Sequence, residues 1–170
     1  MDLITKIESG ESILNKNKFD IINLTENVFE MLEFTAKKKK IKLTVNKDKG
    51  LLTKVIADKE KIEQVLTNLI DNSIKYGKDN GTTEIVIQSL NEDKIIVRVT
   101  DNGVGFKKEN YTRIFERFFR VDRSGSRSAG GSGLGLAIVK HIIDAHDEKI
   151  YVESEFSVGS EFSFTLEKSK

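Results

Sequence analysis

The sequence predicts an α+β fold, a two-layer α/β sandwich in which a mixed sheet is covered on one face by helices. Two patterns support this fold class. Three long stretches carry apolar residues at helical spacing, and several short stretches alternate between apolar and polar residues, as half-buried strands do. The length of 170 residues suits one ordinary domain with a substantial core and without disulfides or a structural metal.

Composition and charge exclude several classes of function. The chain has 28 Lys and Arg against 27 Asp and Glu, so no bulk charge draws it to nucleic acid. It has no Cys, which excludes disulfides, Cys-based zinc sites and a thiol nucleophile. No apolar stretch approaches the roughly 18 residues of a membrane span, and the first residues lack the apolar core of a signal peptide. We therefore expect a soluble chain without direct membrane contact.

The first elements are predicted to be a helix end, a strand and a long helix. Residues 3–14 form either a short helix or the tail of one that begins upstream, because "LITKI" is too short to bury a face of its own. A strand-like "FDI" follows, and "NLTE" at 23–26 matches a capping box that opens a helix. That helix ends in the Lys run at 37–40, which predicts a solvated face near the negative end of the helix dipole. Its apolar positions are Leu24, Val28, Met31, Leu32 and Phe34.

The middle of the chain predicts two hairpins around a second helix. "IKLTV" at 41–45 alternates at period two, and "LLTKVIA" at 51–57 is strand-like, so these two segments are expected to pair as a hairpin. Asp58 then caps the second helix. "TEIVIQSL" and "KIIVRVT", separated by "NED", predict the other hairpin.

The last part of the chain combines a long loop with a helix and two strands. Residues 120–133 have almost nothing to bury, which predicts a mobile loop. "GLGLAIVKHIIDAH" resumes a helix, and "KIYVES" and "SEFSFTL" alternate as closing strands. The apolar positions of this helix are Leu136, Ile138, Val139, Ile142 and Ile143.

The second helix has two chemically different sides. At about 100° per residue, Asn68, Asn72 and Lys75 lie close together, and Tyr76 lies at the border of the apolar face. Amide oxygens suit Mg²⁺, and a Lys one turn further on supplies positive charge for phosphates. The alternative is that these residues are only the wet side of an amphipathic helix. The apolar face consists of Ile62, Val65, Leu66, Leu69, Ile70 and Ile74.

Three further segments give this helix its context. "DNGVGF" at 101–106 follows a strand, and its Asp could accept a hydrogen bond from an exocyclic amine, although alone it is an ordinary turn. "GGSGLGL" at 130–136 runs into a helix N-terminus, where phosphate oxygens meet unpaired N–H groups. Its spacing fits neither the dinucleotide fingerprint nor the P-loop. The aromatic "IFERFFR" at 114–120 could equally be a hydrophobic anchor under a loop.

In this order the segments resemble the ATP-binding catalytic domain of sensor histidine kinases. These two-component signalling enzymes share the Bergerat ATP-binding fold with gyrase and related ATPases. "NLIDNSIKY" is similar to their N box, "DNGVGF" to the G1 box, "IFERFFR" to the F box and "GGSGLGL" to the G2 box. "VGSEFSF" is similar to a following segment that contains Gly. The resemblance runs from about residue 19 to 166, nearly the whole chain.

The resemblance implies a role for each polar residue of the second helix. Asn72 would ligate Mg²⁺, and Asn68 would help to hold the metal and the phosphates. Lys75 and Tyr76 would contact the phosphates. Hydrolytic relatives place a Glu at the position of Asn68 to activate water, so an amide there favours transfer to a substrate over hydrolysis.

The resemblance also implies a base pocket and a lid. Asp101 would bind the adenine amino group, with Gly103 and Gly105 shaping the pocket. Arg120 is the candidate for reaching the γ-phosphate, and together with Asn68 and Lys75 it would make up the catalytic set. The nucleotide would further contact the lid residues Gly131, Ser132, Gly133, Leu134, Gly135 and Leu136.

The implied reaction is transfer of the γ-phosphoryl group of Mg²⁺-ATP to a histidine, where the protein supplies mainly positioning and charge. That histidine would lie on a dimerisation domain upstream, because His141 and His146 follow the lid on its helix and are poor acceptors. Where relatives usually have His followed by two Gly, this chain continues with Asp147, which can adopt a left-handed cap at a cost of roughly 1 kcal/mol.

The resemblance predicts the organisation of the protein as well. Residues 1–15 would be the remnant of the dimerisation helix, and residues 16–170 the catalytic domain, monomeric in isolation. Its partners would be its own dimerisation domain and a response regulator, on the cytoplasmic side of a membrane-anchored bacterial sensor kinase. The alternatives are a module that senses ATP without transferring phosphate and a serine kinase of the anti-sigma type.

Overall fold

The computed structural model describes residues 13–110, 113–116 and 135–169. In chain order, its elements are β1 (Asn17–Asp20), α1 (Ile21–Lys38), β2 (Lys42–Lys47), β3 (Lys54–Ala57), α2 (Lys59–Lys75), β4 (Thr82–Ser89), β5 (Lys94–Asp101), a 3-10 turn (Lys108–Asn110), α3 (Gly135–Ala145), β6 (Ile150–Glu155) and β7 (Gly159–Lys168). Among these, no helix is both long and apolar enough to cross a membrane.

The strands form one mixed sheet in the order β1-β3-β7-β5-β4-β2, with β6 also paired to β7. The long strand β7 pairs with β5 along one edge, while its other edge is shared between β6 and β3. Among the strands of the described residues, only β2 and β4 run parallel. The mixed sheet that the sequence predicts is confirmed.

The helices pack against one face of the sheet, as predicted. Alternate strand residues such as Val97 and Phe164 are fully buried with the apolar sides of the three helices in one core. On the other face of β5, Arg98 donates to Gln88 at 2.7 Å and to Glu161 at 2.8 Å. The core therefore lies between two layers, which is the predicted sandwich.

One predicted hairpin is wrong. β2 pairs in parallel with β4 at one end of the sheet, whereas β3 pairs with β1 and β7 on the far side. Alternation shows that a strand is half-buried, but it carries no information about which strand lies beside it. The hairpins of β4 with β5 and of β6 with β7 are adjacent antiparallel pairs.

The predicted start of α1 is also wrong. The helix begins at Ile21, and its N-cap is Asp20, whose Oδ1 accepts from the Ile22 N–H at 2.9 Å. The capping box at 23–26 lies inside the helix, because fully buried Ile21 already belongs to the core. Two predicted apolar positions, Met31 and Phe34, are 55% and 73% exposed, so the buried stripe of α1 is narrower than its pattern suggests.

The structure tests three predicted helix ends. Asp58 caps α2 as predicted, with its Oδ1 accepting from the Lys61 N–H at 3.3 Å. Asp147 has a φ of 57°, which is the left-handed cap expected after α3. The Lys run does end α1, but Lys39 is only half exposed and contacts α2, so a purely solvated run is wrong. The predicted helix at 3–14 and loop at 120–133 lie almost wholly outside the described residues.

Candidate functional site

The helix α2 is two-sided, as its pattern predicts. Asn68, Asn72, Lys75 and Tyr76 are all half-buried on the side away from the core. At most 1% of each predicted apolar residue is exposed, namely Ile62, Val65, Leu66, Leu69, Ile70 and Ile74. The core thus orients this helix, and its polar residues form one wall of the candidate site.

The two asparagines offer amide oxygens one helical turn apart. The Nδ2 of Asn68 donates to the backbone oxygen of Gly135 at 3.3 Å, which leaves its Oδ1 available. The carboxamide of Asn72 makes no hydrogen bond within the described part of the chain, although it is half-buried. Neutral oxygen ligands of this kind fit Mg²⁺, which usually takes only one or two protein ligands beside phosphate and water.

Lys75 forms an ion pair that sequence reasoning missed. Its Nζ lies 3.0 Å from the Oδ2 of Asp71, and both side chains are about one third exposed. An Asp four residues before a Lys on one helix face was the available signal. Such pairs contribute only about 0.3–0.5 kcal/mol, so the ammonium can turn to an anionic ligand at little cost.

Asp101 is the buried carboxylate of the site. It ends β5, is 8% exposed, and accepts from the Gly103 N–H at 2.9 Å. Burial raises the pKa of its carboxyl above the ordinary value, while hydrogen bonds from the Gly103 and Ser160 N–H groups and from the Ser73 hydroxyl oppose that shift. An acceptor is therefore held in one place in a mostly dry environment.

Ser73 and Thr83 form a pair that was not predicted. Their hydroxyl oxygens lie 2.6 Å apart, and both side chains are at most 2% exposed. Thr83 is also the register partner of Asp101 across β4 and β5. A chain of hydroxyls thus links two strands and α2 behind the carboxylate. The available signal was a Ser among the apolar positions of a helix, where a hydroxyl needs a partner.

Gly103 lets the segment after β5 approach the end of α2. A Cβ there would lie 2.1 Å from the backbone oxygen of Tyr76 and 2.8 Å from the Cα of Gly77. The adjacent Val104 N–H donates to the same Tyr76 oxygen at 3.0 Å. This glycine is therefore required by contact between two backbone segments.

Gly105 and Gly159 join the same segment to the turn between β6 and β7. Gly105 has a φ of 62°, and a Cβ on it would lie 2.1 Å from the backbone oxygen of Glu155. A Cβ on Gly159 would lie equally close to the backbone oxygen of Asp101. Gly159 entered the sequence prediction only as the Gly of the "VGSEFSF" segment and was given no role, because its need for space arises only in the folded chain.

The lid and F box are only partly described. Arg120, Gly131, Ser132, Gly133 and Leu134 lie outside the described residues. Gly135 is the first described residue of α3, and Leu136 packs against the core. In the F box, Ile114 is buried and the ring of Phe115 lies edge-on to Phe162 at 6.1 Å between centroids. These two residues pack as the anchor interpretation expects, while residues 117–120 of the segment lie outside the described part of the chain.

His146 is not placed as a reactive group. His146 is 5% exposed; its Nε2 accepts from the Asp58 N–H at 3.0 Å, so its Nδ1 donates to the Ile142 oxygen at 2.8 Å. Burial lowers its pKa below the ordinary value. His141 lies in the middle of α3 and is half-buried. The neutral ring of His146 acts as a bridge between the end of α3 and the start of α2.

Comparison with known proteins assigns the chain to a group. A family model described as "Histidine kinase-, DNA gyrase B-, and HSP90-like ATPase" matches residues 57–170. The sensor histidine kinase WalK of Bacillus subtilis is 32% identical over 165 residues, covering 96% of this chain and 26% of WalK. The chain therefore spans about a quarter of the length of this relative.

Solved structures have the same fold. Full-length ShkA in complex with AMPPNP superposes with a TM-score of 0.86 at 26% identity, covering 98% of this chain and 34% of that chain. The histidine kinase ThkA in complex with the response regulator protein TrrA superposes with a TM-score of 0.75 at 28% identity, covering 98% and 46% respectively.

Proposed function

Because the chain belongs to the family of histidine kinase-, DNA gyrase B- and HSP90-like ATPases, we propose that it is the ATP-binding catalytic domain of a sensor histidine kinase. It transfers the γ-phosphoryl group of Mg²⁺-ATP to a histidine on a separate dimerisation domain. We propose that the domain begins at about residue 16, just before β1.

The observation that carries this proposal is the fixed, buried carboxylate of Asp101. Three donors hold it, and its remaining lone pairs can accept from the amino group of adenine. Guanine has a carbonyl oxygen at that place, so two acceptors would face each other in a poorly hydrated pocket. Leaving a buried polar group unpaired costs about 1–3 kcal/mol, and more when it is charged.

The polar wall of α2 would hold the phosphate end of the nucleotide. The oxygens of Asn72 and Asn68 would hold Mg²⁺, which neutralises triphosphate charge when bound. Lys75 would leave its exposed pair with Asp71 and contact a phosphate, with Tyr76 beside it. By resemblance, Arg120 would reach the γ-phosphate, and the lid residues from Gly131 to Leu136 would contact the nucleotide.

The acceptor and the partners follow from the same proposal. Asn68 has no carboxylate that could activate water, so the domain positions ATP for attack by a histidine rather than for hydrolysis. The relative ThkA has been solved with a response regulator, and we propose a partner of this class for the present protein. The domain would act on the cytoplasmic side of a membrane-anchored kinase.

Competition binding tests this assignment directly. Wild-type protein should prefer ATP over GTP by at least roughly tenfold to a hundredfold. Asp101→Asn should weaken ATP binding and narrow the gap, because an amide can donate to the guanine carbonyl. Asp144→Asn is the matched control, since this exposed carboxylate on α3 pairs only with Lys140 and should leave both affinities unchanged. Equal binding of ATP and GTP by wild type would refute base recognition by Asp101.

A further inference from the structure

The side chain of Lys39 caps the end of α2 from a distant part of the sequence. Its Nζ donates to the backbone oxygens of Ile74 at 3.1 Å, Lys75 at 2.7 Å and Gly77 at 2.9 Å. An ammonium group has three N–H donors, and all three are used here. We call these three oxygens the carbonyl cluster.

The position of Lys39 explains why a cation is needed. The last carbonyl groups of a helix lack partners within the helix and carry the negative end of its dipole. Lys39 is itself the C-cap residue of α1, with its N–H bonded to Ala36 and Lys37. Lys39 therefore joins the ends of two helices, because its backbone ends α1 and its ammonium group caps α2. Its own backbone oxygen accepts from the Asn80 N–H at 2.9 Å, which keeps the residue in place.

The carbonyl cluster lies in the turn that carries two proposed phosphate contacts. Lys75 belongs to the cluster, and the only oxygen between its members, that of Tyr76, accepts from the Val104 N–H at 3.0 Å. Four consecutive carbonyl groups are thus held, three by Lys39 and one by the segment after β5. The turn is also held from within the helix, since the Tyr76 N–H donates to the Asn72 oxygen at 3.1 Å and the Gly77 N–H to the Ile74 oxygen at 3.2 Å.

We infer that Lys39 is a positioning residue for nucleotide binding, acting through the carbonyl cluster on Lys75 and Tyr76. The predicted effect on nucleotide affinity rests on the proposed function. Cation binding by the carbonyl cluster does not depend on the proposed function. Three converging carbonyl oxygens form a site for a monovalent cation, and the ammonium group of Lys39 fills it. Removing the side chain should therefore open a site for a small free ammonium ion.

The test uses the full chain, with Lys39→Met as the variant, which removes the charged nitrogen but keeps the length of the apolar stem, and ammonium ion as the probe. Affinity for Mg²⁺-ATP, measured by calorimetry well below the unfolding temperature, should fall roughly tenfold. Ammonium ion should restore most of this loss and raise the thermal midpoint, whereas choline at equal ionic strength is too large to enter the cluster. Wild-type protein should respond to neither ion, because the cluster is filled.

Two further variants make the outcome decisive. Lys38→Met is the matched control, since Lys38 is exposed and its Nζ lies 4.7 Å above the Phe34 ring, away from α2; it should bind nucleotide as wild type does. Lys39→Arg retains charge and donors and should keep most of the affinity. Should Lys39→Met fail to fold, Lys39→Gln is measured in the same way.

The possible failures are distinguishable. A lower thermal midpoint for Lys39→Met with unchanged nucleotide affinity would overturn the inference, because the role would then be structural alone. Loss of affinity without rescue by ammonium ion would overturn it as well. If wild type does not bind ATP, the proposed function fails, and the positioning role fails with it. In that case rescue of the thermal midpoint would still show that the cluster binds cations.

Discussion

Replacing Gly103 by Ala should destabilise the protein strongly, and the reason is steric. The new Cβ would lie 2.1 Å from the Tyr76 oxygen and 2.8 Å from the Cα of Gly77, whereas carbon and oxygen atoms not bonded to each other need more than 3 Å. One backbone segment must therefore move by about 1 Å. Neither moves freely, because the Val104 N–H bonds the same oxygen and Lys39 holds the carbonyl groups on either side.

Overpacking of this kind costs about 1–3 kcal/mol, and loss of the Val104 hydrogen bond adds about 1 kcal/mol. The sum, about 2–4 kcal/mol, corresponds to a fall of roughly 5–15 °C in the thermal midpoint for a domain of this size. Differential scanning calorimetry measures it. Gly135→Ala is the matched control, since its Cβ would come no closer than 3.9 Å to Asn68 in the described part of the chain. A midpoint for Gly103→Ala within 2 °C of wild type would refute the packing argument.

Three other outcomes are expected. Asn72→Ala should abolish the Mg²⁺-dependent part of ATP binding without changing the thermal midpoint, because its carboxamide makes no hydrogen bond in the described structure. Calorimetry with and without Mg²⁺ checks this, and unchanged affinity would contradict the metal assignment. Incubation with labelled ATP should leave the chain unlabelled, since both ring nitrogens of His146 are engaged; acid-labile label on this protein would contradict it. Finally, stability should fall as the pH decreases through about 6.5 toward the lowered pKa of folded His146, because the unfolded chain takes up the proton first. In urea unfolding, His146 should contribute at most about 1.4 kcal/mol per pH unit to the slope of the unfolding free energy against pH, and His146→Gln should remove this contribution. Equal slopes for wild type and variant would exclude His146 as the cause.

The side of α2 that faces the core could be predicted from sequence because it depends on local spacing alone. The turns of a helix place Leu66 and Ile70 together whatever the rest of the chain does. The same holds for the N-cap at Asp58 and the left-handed residue at Asp147, where the chemistry of one side chain determines the backbone. Each of these features depends on interactions between residues that are close in the sequence.

The pairing of β2 and the role of Lys39 could not be predicted, because both depend on distant partners. Leu43 and Val45 alternate equally well beside β3 or β4, and only the complete sheet determines which neighbour they have. Lys39 belongs to a run of four identical residues, and nothing local distinguishes it from Lys38. What distinguishes it is its position opposite the end of a helix that lies 35 residues later in the chain.

The glycines of the segment after β5 show how these two kinds of information combine. Gly103 and Gly105 were assigned by resemblance to a base pocket, yet in the folded chain their missing side chains make room for the backbone of α2 and of the β6–β7 turn. Gly159 makes the same kind of contact with Asp101 from the other direction. Three backbone segments thus converge on the residue whose carboxylate is proposed to select adenine. On the proposed function, base selection depends on Asp101, and the glycines hold the backbone around it. Substituting the glycines should therefore lower stability and nucleotide affinity together, whereas Asp101→Asn should act chiefly on the choice of base.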